Sequence, residues 1–105
     1  MSAEPFEAHF AVLRERFSIR LSSYQKRLGN ARMTFVSGRD DDGILELKRI
    51  SHELAGAAGA FDFLDIGEAA LALERAADDV LLRVQDRNAI IAPLRALMRE
   101  IDLSI

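Results

Sequence analysis

Residues 51–61 read SHELAGAAGAF, and they lie within a segment whose apolar residues recur with helical spacing. At about 100° per residue, that segment places its large apolar side chains on one helical face. The face consists of Leu47, Ile50, Leu54, Ala58 and Phe61, with Ser51 at its edge. His52 falls nearly opposite, so its imidazole is predicted to face solvent while the stripe enters a core.

Two glycines, Gly56 and Gly59, flank the same outward direction, although a helix-interior Gly costs about 1 kcal/mol relative to Ala. Helix propensity therefore does not explain them, and their outward position argues against a role in the core. We interpret them as room for another molecule to reach the imidazole. Close helix packing or an early helix end are the alternatives. Lys48 and Arg49 lie one turn before His52, on either side of the same outward face. They either contact a partner or are ordinary surface charges.

The flanking sequence predicts helices on both sides of this segment. Before it, an apolar stripe at intervals of three and four predicts a long first helix. The stripe is Phe6, Phe10, Leu13, Phe17, Leu21, Tyr24 and Leu28. Pro5 suits its first turn and Gly29-Asn30 its end, so residues 31–39 are predicted to be a connector with a short helical turn at 33–36. Three aspartates at 40–42 then open the second helix, which runs to about Ala60.

Two further helices follow. Asp65 with Glu68 three residues later resembles a capping box and predicts a third helix that ends near Leu82. Its apolar stripe comprises Ile66, Ala69 or Ala70, Leu73, Ala77 and Val80. Asp86 is the predicted cap of a fourth helix, whose apolar residues are Ile90, Leu94, Leu97, Met98 and Ile101. Pro93 inside this pattern predicts a kink or a late start.

These elements define an all-α class, and four amphipathic helices with short connections predict an antiparallel up-down-up-down bundle. The 105 residues suit a single domain spanning 1–105. The chain has no cysteine, no signal-peptide pattern and no apolar run long enough for a membrane span, so we expect a cytoplasmic protein. A net charge of -3 gives no reason to expect nucleic acid, and no nucleotide-binding loop appears.

The residues HELAGAAGAF resemble the signature of histidine phosphotransfer (HPt) domains, which has a His-x-Leu-x-Gly pattern on the second helix of a four-helix bundle. The later AALALERAA, residues 69–77, is similar to the Leu-Glu-x-Ala stretch of the next helix in that family. The resemblance covers nearly the whole chain. It departs from the family at Ala55, where a lysine is common, and Lys48 and Arg49 are the nearest substitute cations.

The resemblance implies that His52 is a phosphoacceptor, and imidazole suits this role because its ordinary pKa of about 6.5 leaves much of it neutral near pH 7. Phosphate would arrive from the aspartyl phosphate of a response-regulator receiver domain and leave to another receiver. The receiver would supply Mg²⁺ and the catalytic groups. Lys48, Arg49, Ala55, Gly56 and Gly59 are the predicted docking residues.

The chain itself is then a phosphoryl carrier with no cofactor or metal site, and not an enzyme. A hybrid histidine kinase is a further candidate partner. We expect a monomer, and the initiator Met1 favours a free-standing protein. His9 has no partner in the sequence and is predicted to be structural or idle.

Two other functional classes stay open. The first is a non-catalytic helical adaptor that docks on a receiver and sequesters it. The second is an enzyme that uses His52 as a general base. It is the weakest of the three, because no carboxylate, Ser or Cys is predicted within reach of His52 on its own helix.

Overall fold

In a computed structural model, which describes residues 5–38 and 40–105, the chain folds into four α-helices. They are α1 (Pro5–Ser37), α2 (Asp42–Ala60), α3 (Leu64–Leu81) and α4 (Ile91–Ser104), with a 3₁₀ helix (Arg87–Ile90) before α4. Each helix packs on the next and α1 closes against α4, so the predicted four-helix bundle with a long first helix is confirmed. No helix in the described ranges has the length and apolarity to cross a bilayer.

Most of the core comes from the predicted apolar stripes, whose burial supplies the main driving force for folding. From α1 and α2 it contains Phe17, Leu21, Tyr24, Leu28, Ala31, Phe35, Ile44, Leu47, Ile50, Leu54 and Ala58. From α3 onward it contains Ile66, Ala70, Leu73, Ala77, Val80, Ile90, Leu94, Leu97 and Ile101. The buried hydroxyl of Ser51 donates to the carbonyl of Lys48 at 3.0 Å, so its hydrogen-bonding capacity is used.

The predicted end of the first helix is wrong. The helix continues through Gly29-Asn30 to Ser37, and the expected turn at 33–36 is part of α1. Ala31 and Phe35 extend the buried stripe, and their burial outweighs the roughly 1 kcal/mol that Gly29 costs. Residues 1–4, and Arg39 at the end of the predicted connector, lie outside the described residues.

The start of the first stripe also differs from the prediction. Burial begins only at Phe17, whereas Phe6 is 77% exposed. A helix of 33 residues is about 50 Å long, so α1 is much longer than the 19-residue α2 beside it. Its N-terminal part contacts the end of α2 through aromatic rings and through Arg14, whose Nε donates to the Phe61 carbonyl at 3.0 Å. The ring of Phe6 stacks on Phe10 at 6.3 Å, and Phe10 lies 6.0 Å from Phe61.

The starts of the last two helices follow their local chemistry. Helix α3 begins at Leu64 with Phe63 as N-cap, so Asp65 is a first-turn residue and not the predicted cap. Asp62 has a φ of 63°, and this left-handed conformation makes a short turn between Ala60, the end of α2, and Leu64. Helix α3 therefore begins before the predicted cap. Asp86 caps the 3₁₀ helix by accepting from the backbone N–H of Asn88. Helix α4 then starts late with Pro93 in its first turn, as predicted.

The corner between α1 and α2 is a tight crossing. The Arg87 guanidinium donates to the carbonyls of Phe35, Gly38 and Asp40 at 2.8, 3.2 and 2.8 Å, and so satisfies acceptors that the end of α1 leaves free. Gly43 is buried at the crossing, where an added Cβ would lie 2.5 Å from the backbone nitrogen of Phe35. Only glycine fits that approach.

Substituting Gly43 with Ala is therefore expected to destabilise the bundle. Overpacking against backbone costs about 1–3 kcal/mol, and each kcal/mol lowers the melting temperature by about 4–8 °C in a domain of this size. Thermal unfolding followed by circular dichroism measures the change. Gly29→Ala is the matched control: nothing lies within 4 Å of an added Cβ there, so it should raise stability by up to about 1 kcal/mol. Equal melting of Gly43→Ala and wild type would contradict the tight crossing.

Candidate functional site

The candidate site lies between α2 and α3, where two rows of side chains face each other beside the core. On α3 the row is Gly67, Leu71, Glu74 and Asp78, spaced by four, three and four residues. It meets the row on α2 that contains Lys48, His52, Ala55 and Gly59. Because the helices are antiparallel, Lys48 contacts Asp78 near one end, His52 contacts Glu74, and Gly59 lies against Gly67 near the other end.

His52 faces solvent as predicted, with its side chain 76% exposed. Its Nδ1 lies 2.5 Å from Oε2 of Glu74, whose side chain is only 17% exposed. An ionised carboxylate can only accept a hydrogen bond, so Nδ1 carries the proton and donates it. A neutral imidazole has one N–H, which assigns the free lone pair to Nε2. The exposed ring thus has a fixed tautomer and one available nucleophilic nitrogen.

Glu74 has no role in the sequence-based prediction of the site. That reasoning considered carboxylates on the helix of His52, whereas this one comes from the neighbouring helix. The sequence did contain an indication of this role, because Glu74 belongs to the family-like stretch AALALERAA and lies at the edge of the apolar stripe of α3. Its use required the register of α3 against α2, which single-helix periodicity does not contain.

A groove of 470 Å³, which we call the α2–α3 groove, extends from the imidazole toward the C-terminal end of α2. It is lined by His52, Ala55, Gly56, Gly59, Leu64, Gly67, Glu68, Leu71 and Glu74. The structure therefore brings three predicted docking residues together with His52. Nothing lies within 4 Å of a Cβ added at Gly56 or Gly59, so contacts with other helices do not require glycine at either position. Helix α2 continues past both, to Ala60.

A second groove, of 550 Å³, lies on the other side of His52 and includes Lys48 and Arg49. Both cations already have carboxylate partners. Lys48 Nζ is 2.7 Å from Oδ1 of Asp78, and the Arg49 guanidinium is 2.7 and 2.9 Å from the two oxygens of Glu46. These hydrogen bonds raise the pKa of Lys48 and of Arg49 above their usual values. The sequence reasoning missed both pairs.

The other candidate ligands lie apart from this site. His9 is exposed near the start of α1. Across residues 5–38 and 40–105, no three His, Asp or Glu side chains are grouped closely enough to hold a metal ion. The reactive group of the site is thus a single oriented imidazole, which lies where the two grooves meet.

The family model described as the Hpt domain matches residues 12–103, and the chain therefore belongs to the Hpt domain family. Members of this family take part in histidine phosphotransfer in phosphorelays as phosphoryl carriers and interact with receiver domains. Comparisons with curated proteins and with solved structures gave no significant match.

Substitution of Gly56 by Gln should separate stability from function. The new side chain projects into open space from a regular helix, so we expect stability to rise by up to about 1 kcal/mol. The same side chain would stand beside the imidazole and obstruct a partner, so phosphotransfer should slow sharply. Melting temperature and transfer rate are measured on the same protein.

Gly29→Gln, at a similarly open glycine of α1, is the control that should gain stability and keep the wild-type transfer rate. If Gly56→Gln melts like wild type and transfers at the same rate, the docking surface lies elsewhere. A lowered melting temperature with a matching loss of transfer would show a purely structural glycine.

Proposed function

We propose that this chain, as a single domain over residues 1–105, is a histidine phosphotransfer protein that accepts a phosphoryl group on His52 from a receiver-domain aspartate. It then passes the group to another receiver domain. The observation that carries this proposal is the exposed imidazole whose Nδ1 is held by Glu74, which leaves Nε2 as the nucleophile.

The transfer is an in-line displacement at phosphorus. The Nε2 lone pair forms the N–P bond as the P–O bond of the aspartyl phosphate breaks, and the aspartate carboxylate leaves with the electron pair. The ring keeps its Nδ1 proton and becomes cationic, and the carboxylate of Glu74 stabilises that charge through the hydrogen bond. Delivery to the second receiver reverses these steps. The receiver's Mg²⁺ would neutralise charge on the phosphoryl oxygens.

Glu74 is a positioning residue in this scheme, because it touches the ring and not the phosphoryl group. Its side chain is largely buried between the helices, so it holds the imidazole in one orientation. An oriented nucleophile avoids part of the entropic cost of bringing the reacting atoms together.

The docking surface follows from the two grooves beside His52. No large side chain projects beside the ring, because the neighbouring positions are Ala55, Gly56 and Gly59. Apolar contact area is provided by the exposed side chains of Leu64 and Leu71. On the other side, Lys48 and Arg49 would attract the acidic pocket of a receiver. Rim charges of this kind act mainly on the rate of encounter, and their pairing with Asp78 and Glu46 reduces the attraction.

Substitution of His52 by Gln tests the proposal. The variant should lose all phosphate acceptance from a phosphorylated receiver domain and stay folded. The imidazole is exposed, so the main cost to stability is the lost hydrogen bond to Glu74, about 0.5–1.5 kcal/mol. In the wild-type chain, the bound phosphate should be labile in acid and resistant to base, as expected for a phosphoramidate. Acceptance is followed by the loss of phosphate from the receiver and its gain by this chain.

His9→Gln is the matched control and should accept phosphate at the wild-type rate. If the wild-type chain binds the receiver while the receiver keeps its phosphate, the chain is an adaptor and the relay is wrong. Phosphate that persists on His52→Gln would place the acceptor on another residue.

A further inference from the structure

The charges of this chain are separated between the two halves of the bundle. Residues 40–86, which contain α2 and α3, carry twelve acidic and four basic side chains. Residues 16–38 of α1 carry five basic side chains and no acidic one, namely Arg16, Arg20, Lys26, Arg27 and Arg32. Arg27 turns toward Glu53 of α2, whereas Arg32 lies where α1 packs against α4, near Arg95 and Arg99 of α4. We call the surface around Arg32, Arg95 and Arg99 the basic face; it lies on the side of the bundle away from His52, in a chain of net charge -3.

A narrow groove of 170 Å³ lies on this basic face, between the C-terminal half of α1 and the first half of α4. It is lined by Arg32, Phe35, Val36, Ile91, Leu94, Arg95 and Met98, and we call it the α1–α4 groove. Phe35 and Leu94 are 8% and 4% exposed and lie at its floor, whereas Val36 is 70% exposed at its rim. The groove is thus an apolar slot with an arginine on each helix.

The arginines in and beside the α1–α4 groove have no carboxylate partner within residues 5–38 and 40–105. Arg32, Arg95 and the nearby Arg99 form none of the ion pairs of the described residues, whereas Arg27, Lys48, Arg49 and Arg83 all do. An arginine fork that is free of internal partners matches a carboxylate in two-point geometry. Together with the apolar floor, this charge pattern selects a ligand that is acidic and apolar at once.

We propose that the α1–α4 groove binds an acidic amphipathic helix of a partner protein. An apolar side chain of that helix enters the slot, and flanking carboxylates pair with Arg32 and Arg95. A helix fits because two neighbouring helices present a groove for a third, whereas strand addition needs a sheet edge and the described residues contain no strand. This surface is separate from His52, so its partner can bind while a receiver occupies the α2–α3 groove.

Other occupants fit the observations less well. A bilayer surface cannot follow an apolar floor that is recessed between two arginine-bearing helices. Nucleic acid phosphates would use the arginines but leave the slot unfilled. In a second copy docked through the same face, the arginines of both copies would repel one another.

The probe is a designed helical peptide of about 18 residues, or five turns, with leucines on one face and glutamates elsewhere. Titrated into the ¹⁵N-labelled full chain, it should shift amide signals at residues 31–37 and 91–99 and leave those around His52 unchanged. Arg32→Glu/Arg95→Glu should weaken binding by about tenfold or more, since it removes two charge-assisted contacts. Arg75→Glu, at an exposed arginine of α3 that does not line the groove, should bind as wild type does.

The melting temperature of each variant is measured first, and Arg32→Gln/Arg95→Gln replaces the charge reversal if that variant unfolds. Phosphate acceptance by His52 should be the same in all of them, so this test stands apart from the one of the relay. The proposal is overturned if the peptide shifts signals at the α2–α3 groove, binds the arginine variants equally, or does not bind. It is also overturned if phosphatidylglycerol vesicles or duplex DNA bind the arginines more tightly than the peptide, or if the face proves to be a dimer interface by analytical ultracentrifugation.

Discussion

The packing of α2 against α3 determines the register on which the candidate site depends. Small residues bring the two helices close together, since an added Cβ at Gly67 would lie 3.7 Å from the Cβ of Ala58 and from the backbone nitrogen of Gly59. Leu54 of α2 and Leu73 of α3 are fully buried in the core. A shift of either helix by one residue would turn these side chains out of the core by about 100°, which would expose apolar surface. The core therefore keeps Glu74 opposite His52.

The same register accounts for the charges around the imidazole. Lys48 reaches Asp78 one turn from the point where His52 reaches Glu74, and Arg27 of α1 pairs with Glu53 on the neighbouring part of α2. In the groove that contains Lys48, α3 contributes two carboxylates, Glu74 and Asp78, and each has a partner on α2. In the proposed transfer, this pairing would let an acidic half of the bundle present its nucleophile to a negatively charged phosphoryl group. The Glu74 carboxylate is engaged by the Nδ1 proton, and Lys48 lies in the same groove.

Sequence reasoning was effective where burial within one helix decides the structure. The stripes of α2 and α3 have clear helical spacing, so the presence of both helices, their buried faces and the outward position of His52 could be predicted. The end of α1 could not, because Gly29-Asn30 is a local stop signal while the burial of Ala31 and Phe35 depends on distant helices. Glu74 and the pairing of Lys48 with Asp78 were missed for a related reason. Each contact joins two helices, and its prediction needs their register.

The tautomer of His52 tests the central claim most directly. Long-range ¹H–¹⁵N correlation spectra of the full chain distinguish a protonated from an unprotonated imidazole nitrogen, and His9→Gln assigns the signals of the two histidines. In spectra recorded at a pH where the imidazole is neutral, we predict that Nδ1 of His52 is protonated and that Nε2 is not. Glu74→Ala should remove this preference. A proton on Nε2 in the wild-type chain, or the same tautomer with and without Glu74, would contradict the account.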